Sequence, residues 1–139
     1  MVCTFFGHRD APESLSNVLK STLEDLIIKN NISSFYVGNN GKFDKMVQRI
    51  LCELSAYHNI TYIIVLSSFN EAIAKELASH TILPEGIEKI PPRFSICWRN
   101  EWMINHSDIV VTYVTHPSSG AAKYKQIAER KNKAVFSLV

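Results

Sequence analysis

The stretch DIVVTYVTHPSSGAAKYKQIAERKNKAVFSLV, residues 108–139, contains a strand, a loop, a helix and a second strand in succession. Its apolar run (108–114) ends abruptly in His-Pro-Ser-Ser-Gly, and a helical pattern follows over 120–131. The closing segment AVFSLV (134–139) is again typical of a strand. A strand, helix and strand in this order form a parallel pair joined by a right-handed crossover. The stretch therefore predicts an α/β fold.

The same alternation extends back to the first residue. Apolar runs predict strands, and side chains that recur every three or four positions predict helices between them. The strands are predicted over 2–6, 34–37 and 61–66, and a further helix is predicted over 94–107. Between them, NEAIAKELASH (70–80) predicts a helix, and LPEGIEKIPPR (83–93) predicts a loop. We expect one domain over 1–139, a three-layer α/β/α sandwich with a mostly parallel sheet of about five strands.

Composition excludes several classes of protein. The 139 residues are 46% hydrophobic and 20% charged, which is ordinary for a soluble domain. A net charge of +2 argues against nucleic acid as a partner. No apolar run reaches the roughly 20 residues of a membrane span, and the first residues do not form a signal peptide, so a cytoplasmic protein is expected. The three cysteines have no CxxC spacing, and neither a disulfide framework, a metal nor a cofactor is predicted.

Glycine and small polar residues follow three of the strands. These loops are GHRD (7–10), GNNGKFD (38–44) and THPSSG (115–120). Ligands of parallel α/β sheets bind outside the carboxyl ends of the strands, so all three loops should open on one edge. The residues predicted to bind a ligand there are Gly7, His8, Arg9, Gly38, Asn39, Asn40, Gly41, Asp44, Arg99, His116, Pro117, Ser118, Ser119 and Gly120.

Each of these signals has a plainer alternative. Ser119 and Gly120 at a helix N-terminus could hold an anion, or the serine could simply cap the helix. Asp44 in a first helical turn could contact a ligand or could only complement the helix dipole. Arg99 lies between two tryptophans in WRNEWM and could pack on them or bind a phosphate. His116 has no visible partner that would make it a catalytic base. No nucleophile elbow, Walker loop or strict GxGxxG motif is present.

Taken together, four segments carry a resemblance to a known family. They are FFGHRD, YVGNNGKFDKMV, RNEWMINHSDIVVTYV and HPSSGAAKYKQIAERKNKAV. The ordered set resembles the SLOG superfamily, a Rossmann-like group that includes the LOG phosphoribohydrolases and the DNA-processing protein DprA, and it is most similar to the small YpsA-like branch. The resemblance implies a nucleotide or nucleotide-derived ligand, with its phosphate held at the last glycine-rich loop. It leaves open a homodimer or a higher homo-oligomer.

The LOG catalytic pattern is only partly present. Arg99 and Met103 match the helix motif of that family, but Ser118 and Ser119 replace glycines, and Tyr124 stands where the catalytic glutamate is expected. Tyrosine supplies neither a negative charge nor a ready base for cleaving an N-glycosidic bond. The resemblance therefore favours binding, that is, sensing or sequestering a small ligand such as a nucleoside phosphate or an ADP-ribose derivative.

Three alternatives remain open. One is a LOG-type N-glycosidase in which Arg99 is joined by a non-standard acid, Asp44 or Glu101. Another is single-stranded nucleic-acid binding in the manner of DprA. The basic residues near the loops support it, namely Arg9, Lys42, Lys45, Lys123 and Lys125. The last is a protein-interaction adaptor that has the fold without the pocket.

Overall fold

Six strands and four α-helices make up the regular structure of the residues that the structure, a computed structural model, describes, namely 1–68 and 80–139. They are β1 (Val2–Gly7), α1 (Ser16–Lys29), β2 (Ser34–Val37), α2 (Lys42–Leu54), β3 (Thr61–Val65), β4 (Thr81–Ile82), α3 (Ser95–Asn105), β5 (Ile109–Tyr113), α4 (Gly120–Arg130) and β6 (Ala134–Ser137). The helix predicted over 70–80 lies, except for its last residue, outside the described residues. Within those residues, none of the helices is long and apolar enough to cross a bilayer.

The sheet is parallel throughout the described residues, and its strand order is β4-β3-β2-β1-β5-β6. This confirms the predicted Rossmann-like α/β fold. The sheet has one strand more than the five expected. The additional strand is β4, which has only two residues. Strand order reverses between β1 and β5, and such a switch point opens a crevice at the carboxyl ends of the strands.

Alternating side chains of β1 enter two separate cores. Cys3 and Phe5 join the core under α1 and α2, whereas Phe6 joins the core under α3 and α4. On the second face Met103 and Tyr124 meet Phe6, and the Tyr124 ring stacks on the Phe6 ring with 5.2 Å between centroids. The sheet therefore lies between two helical layers, as the alternation of elements predicted.

Two loops meet where α2 begins. The Lys42 N–H donates to the Arg9 carbonyl at 2.8 Å, which joins the loop after β1 to the start of the helix. Gly41 has a φ of 93°, and a Cβ there would lie 2.8 Å from the Arg9 Cα. Only glycine fits this left-handed position so close to another backbone. The first and second predicted loops are thus in direct contact.

Candidate functional site

A cavity of about 260 Å³ opens at the carboxyl edge of the sheet. It lies at the switch point, between the ends of β1 and the helices α2, α3 and α4. Its lining residues are Phe5, Phe6, Gly7, Arg9, Asn40, Asp44, Ile96, Arg99, Asn100, Met103, Gly120 and Tyr124. All three predicted edge loops contact this region, because Gly7, Asn40 and Gly120 each come from a different one.

Arg99 is the largest fully buried side chain of the described residues, with 2% of its surface exposed. Its Nε donates to Asn100 Oδ1 at 2.8 Å, its Nη1 to the Val65 carbonyl at 2.9 Å and its Nη2 to Asn40 Oδ1 at 2.6 Å. A guanidinium has five N–H donors, so two have no acceptor among the described residues. Burial lowers the pKa of Arg99, and the Asp44 carboxylate opposes this shift.

No carboxylate forms an ion pair with Arg99 in the described part of the chain. A buried cation without such a partner is costly unless hydrogen bonds or a ligand compensate it. No cation–π contact of Arg99 occurs there either, so packing on the flanking tryptophans does not explain the residue. Two guanidinium N–H groups are therefore left without a protein acceptor among the described residues, on a side chain that lines the cavity.

Asp44 lies beside Arg99 at the start of α2. Its Oδ2 accepts the Asn40 N–H at 2.9 Å. A Cβ at Gly38 would lie 2.8 Å from that oxygen and 3.4 Å from the Arg99 Cζ, so glycine leaves room for the acid and the guanidinium to approach each other. Burial raises the pKa of Asp44 to about 6, against the lowering effects of the Asn40 N–H, Arg99 and Arg9. Near neutral pH this carboxyl can gain or lose a proton.

The N-terminus of α4 closes the cavity from the side of β5. The Ser119 Oγ accepts the Ala122 N–H at 3.1 Å, so this serine is the N-cap of the helix. Gly120 is exposed, lines the cavity, and would have no atom within 4 Å of an added Cβ. The first N–H groups of a helix have no intrahelical partner and carry partial positive charge. The N-terminus of α4 is therefore capped by Ser119 and also borders the cavity at Gly120.

The two predicted histidines stack on each other beside the cavity. The His8 and His116 rings are parallel, with 4.3 Å between centroids and an interplanar angle of 6°. His8 Nε2 accepts the Thr115 N–H at 2.8 Å, which ties the loop after β1 to the loop after β5. Burial lowers the pKa of His8, and the nearby His116 lowers it further, while Asp10 raises it.

Six of the fourteen predicted ligand-binding residues line the cavity: Gly7, Arg9, Asn40, Asp44, Arg99 and Gly120. The other eight do not line it. Among these, Gly38 is buried behind Asp44, the Asn39 Oδ1 accepts from Gln48 Nε2 at 3.3 Å, and Pro117 and Ser118 are exposed. Whether any of these residues contacts a ligand stays a prediction.

Sequence reasoning missed several lining residues, namely Phe5, Phe6, Ile96 and Asn100. Asn100 follows the arginine of the RN pair, and that motif was the one signal that could have found it. Of the two proposed acids, Asp44 lines the cavity, whereas Glu101 lies on the exposed side of α3 beside Trp98 and Asn105. Tyr124 does line the cavity, and burial, followed by the Cys97 thiol, raises its pKa to about 12. It is a neutral phenol at physiological pH.

The fold and the crevice define a Rossmann-like α/β protein with a cationic cavity at its switch point. Two solved structures of DNA processing protein A (DprA) share this fold. The Streptococcus pneumoniae protein has a TM-score of 0.72 and 15% identity over 97% of this chain. The Helicobacter pylori protein has a TM-score of 0.68 and 17% identity over 99% of this chain. This chain spans 49% and 64% of the lengths of those two structures.

Comparison with protein-family models gives no match, and comparison with curated protein sequences gives none either. At these identities the two structures establish the fold. The Helicobacter pylori structure is described for the single-stranded DNA binding mode of that protein. The prediction from net charge that nucleic acid is not a partner was therefore wrong. Net charge averages over the whole surface and does not report a local cluster such as Arg9 and Arg99.

Proposed function

We propose that this protein binds single-stranded nucleic acid at the carboxyl edge of its sheet and holds one phosphate of the strand in the cavity. The observation that carries the proposal is the buried Arg99. It lines the cavity with two N–H donors to spare and has no ion-pair partner among the described residues. Charge-assisted hydrogen bonds of a guanidinium to phosphate are among the strongest in proteins.

Other charges around the cavity favour the same ligand. Arg9 is exposed and lines the cavity, and the N-terminus of α4 faces it through Gly120. Lys123 is exposed on the first turn of α4, with its Nζ 5.3 Å from the centroid of the Tyr124 ring, which lines the cavity. Lys42 and Lys45 on α2 instead border a neighbouring depression together with Asp10 and Glu13. Asp44 is the acidic residue of the cavity lining. Arg9, Arg99 and Lys123 therefore outnumber the one acid at the cavity, and this net positive charge favours a strand of phosphates.

The fold supports the proposal, since the Helicobacter pylori relative is described as binding single-stranded DNA. The resemblance of the sequence to the SLOG superfamily points in the same direction, because DprA is one of its members. Assignment to the YpsA-like branch stays a finer proposal that rests on the order of the GHR, RN and glycine-loop segments alone.

Fluorescence anisotropy with a labelled oligothymidylate tests the function. We expect binding that weakens steeply with salt, with a slope of log K on log salt of roughly −0.7 for each phosphate contact. Arg9→Ala should lower both the affinity and that slope. Arg130→Ala is the matched control, because this exposed arginine ends α4 at the opposite edge of the sheet. Equal affinity of the Arg9→Ala variant and the wild type would contradict the proposal.

A free nucleotide or nucleotide-derived ligand is the second candidate, and the size of the cavity favours it. A volume of about 260 Å³ lies just below the roughly 300 to 1,000 Å³ of typical small-molecule sites, so the cavity suits one nucleotide-sized group. A nucleoside monophosphate or ADP-ribose that raises the melting temperature, and competes with the oligonucleotide, would favour this candidate. Saturation at 100 times the dissociation constant adds about 2.7 kcal/mol to the free energy of unfolding.

A further inference from the structure

We propose that His116 is a base-stacking platform, on which the nucleobase next to the cavity-bound nucleotide lies flat. This inference rests on the proposed binding of single-stranded nucleic acid and adds a second subsite to it. It assigns to the bases, rather than to the phosphates, a contact of their own.

The rings form a short ladder at the end of the sheet. His8 packs edge-on against Tyr113, with 5.5 Å between centroids and an angle of 75° between planes. His116 then lies parallel on His8 at 4.3 Å. His8 has 7% of its surface exposed, whereas His116 is exposed. Because His8 covers one face of the His116 ring, the opposite face is the one that solvent or a ligand reaches.

Hydrogen bonds hold this ladder in place. The Thr115 N–H donates to His8 Nε2 at 2.8 Å, and the Ser119 Oγ donates to the His116 carbonyl at 3.2 Å. The first bond requires an unprotonated Nε2, so neutral His8 carries its proton on Nδ1. The exposed ring is therefore supported from below by a buried ring of fixed orientation, and little freedom is lost when a base stacks on it.

Both segments that form the platform continue into residues that line the cavity. His8 lies between Gly7 and Arg9, which both line the cavity. The loop that carries His116 leads within four residues to Gly120, which lines the cavity as well. A strand with one phosphate at Arg99 would thus pass its next nucleotide over or near the histidine ring.

Stacking of unpaired bases on histidine and other aromatic rings is a general means of holding single strands, and it tolerates any sequence. Bases in a duplex are already stacked on each other and present no free face. The platform therefore predicts a preference for single strands that the phosphate contacts alone would not give.

Three variants and two oligomers separate the contributions. His116→Ala should weaken binding of a single-stranded oligonucleotide by roughly 5-fold to 100-fold, as loss of one stacked base does. His116→Phe should restore most of the affinity, since phenylalanine keeps the ring and removes the nitrogens. His58→Ala, located after α2 at the opposite edge, should change nothing. With a base-free sugar–phosphate oligomer of the same length, the wild type and His116→Ala should bind equally.

Each result has a distinct meaning. If the wild type binds the oligonucleotide and Arg9→Ala weakens it, but His116→Ala does not, the platform is refuted and the phosphate site stands. If His116→Ala weakens the base-free oligomer as much as the natural one, the histidine does not contact a base and the platform is again refuted. If the wild type binds neither oligomer, both the proposed function and the platform fail.

Discussion

The Nη2 of Arg99 donates to Asn40 Oδ1 at 2.6 Å, and this bond joins α3 to the loop after β2 across 59 positions of sequence. The same guanidinium reaches the Val65 carbonyl at the end of β3. One buried side chain thus joins three elements: α3, the loop after β2 and the end of β3. Its role in the fold and its proposed role in binding cannot be separated by deletion, so a conservative change is the better probe.

Replacing Arg99 by lysine should destabilise the fold and weaken binding. Lysine keeps the charge, but its ammonium cannot reach the three acceptors in the geometry of a planar fork. Loss of one or two hydrogen bonds to a charged group should lower the free energy of unfolding by about 2 kcal/mol. Urea denaturation measures this. Arg49→Lys is the control, since the Arg49–Glu13 pair is largely exposed and should contribute less than about 0.5 kcal/mol. Similar losses for both variants would contradict the buried role of Arg99.

Gly120→Ala should leave the fold intact and weaken binding of the ligand. An added Cβ meets no protein atom within 4 Å, yet Gly120 lines the cavity, so the methyl group would take space that a phosphate needs. Gly41→Ala provides the contrast, because its φ of 93° and the Arg9 Cα at 2.8 Å make a side chain strained. We expect an unchanged melting temperature for the first variant, and a loss of roughly 1 to 2 kcal/mol for the second. If Gly120→Ala binds an oligonucleotide as tightly as the wild type does, the ligand does not approach the α4 N-terminus.

Oligonucleotide affinity should rise as the pH falls from about 7.5 to about 5.5, because Asp44, with a pKa of about 6, loses its negative charge beside the bound phosphate. The phosphodiester keeps its own charge throughout this range. Asp44→Asn should bind about tenfold more tightly at pH 7.5, equivalent to 1.4 kcal/mol, and should show a much flatter pH dependence. Anisotropy titrations at four pH values test this. An equally steep rise in the variant would contradict the assignment of the effect to Asp44.

Asp44 should also affect stability, with a definite sign. Its pKa in the folded state is above the ordinary value of 3.8, so its stabilising contribution is complete below pH 3.8 and is lost as the pH rises through about 6. Asp44→Asn should therefore be more stable than the wild type at pH 8, by about 1 to 2 kcal/mol once partial solvent exposure is allowed for. His8 acts in the opposite sense, because its lowered pKa removes stability as the pH falls below 6.5. It is common to both proteins, so the difference between their urea midpoints isolates Asp44.

Hydrophobic patterning predicted the fold well because five strands are short apolar runs and the helices between them carry apolar side chains at spacings of three and four. It could not predict β4, because two residues are too few to form a recognisable hydrophobic pattern. Their pairing with β3 depends on tertiary structure and not on local sequence. The three edge loops were found from glycine and small polar residues alone. Their meeting at one edge followed from parallel strands, whose carboxyl ends share that edge.

The site was predicted less completely, for a physical reason. Arg99 was singled out from a motif, but its burial depends on acceptors 34 and 59 positions away, which no local pattern encodes. Phe5 and Asn100 line the cavity only because α3 packs across the switch point. Net charge misled for the same reason, since it contains no information on which charges lie together.

Incubation with nucleoside monophosphates should release no free base. The position at which a LOG-type enzyme is expected to have its glutamate holds Tyr124, a buried phenol whose pKa of about 12 keeps it protonated. Asp44 is the cavity-lining carboxyl, but the Asn40 N–H binds its Oδ2 and Arg99 lies beside it, so its position serves the protein's own structure. Chromatography after prolonged incubation measures the free base against a sample without protein. Release that is abolished in Asp44→Asn, with binding retained, would instead establish an N-glycosidase that uses this acid.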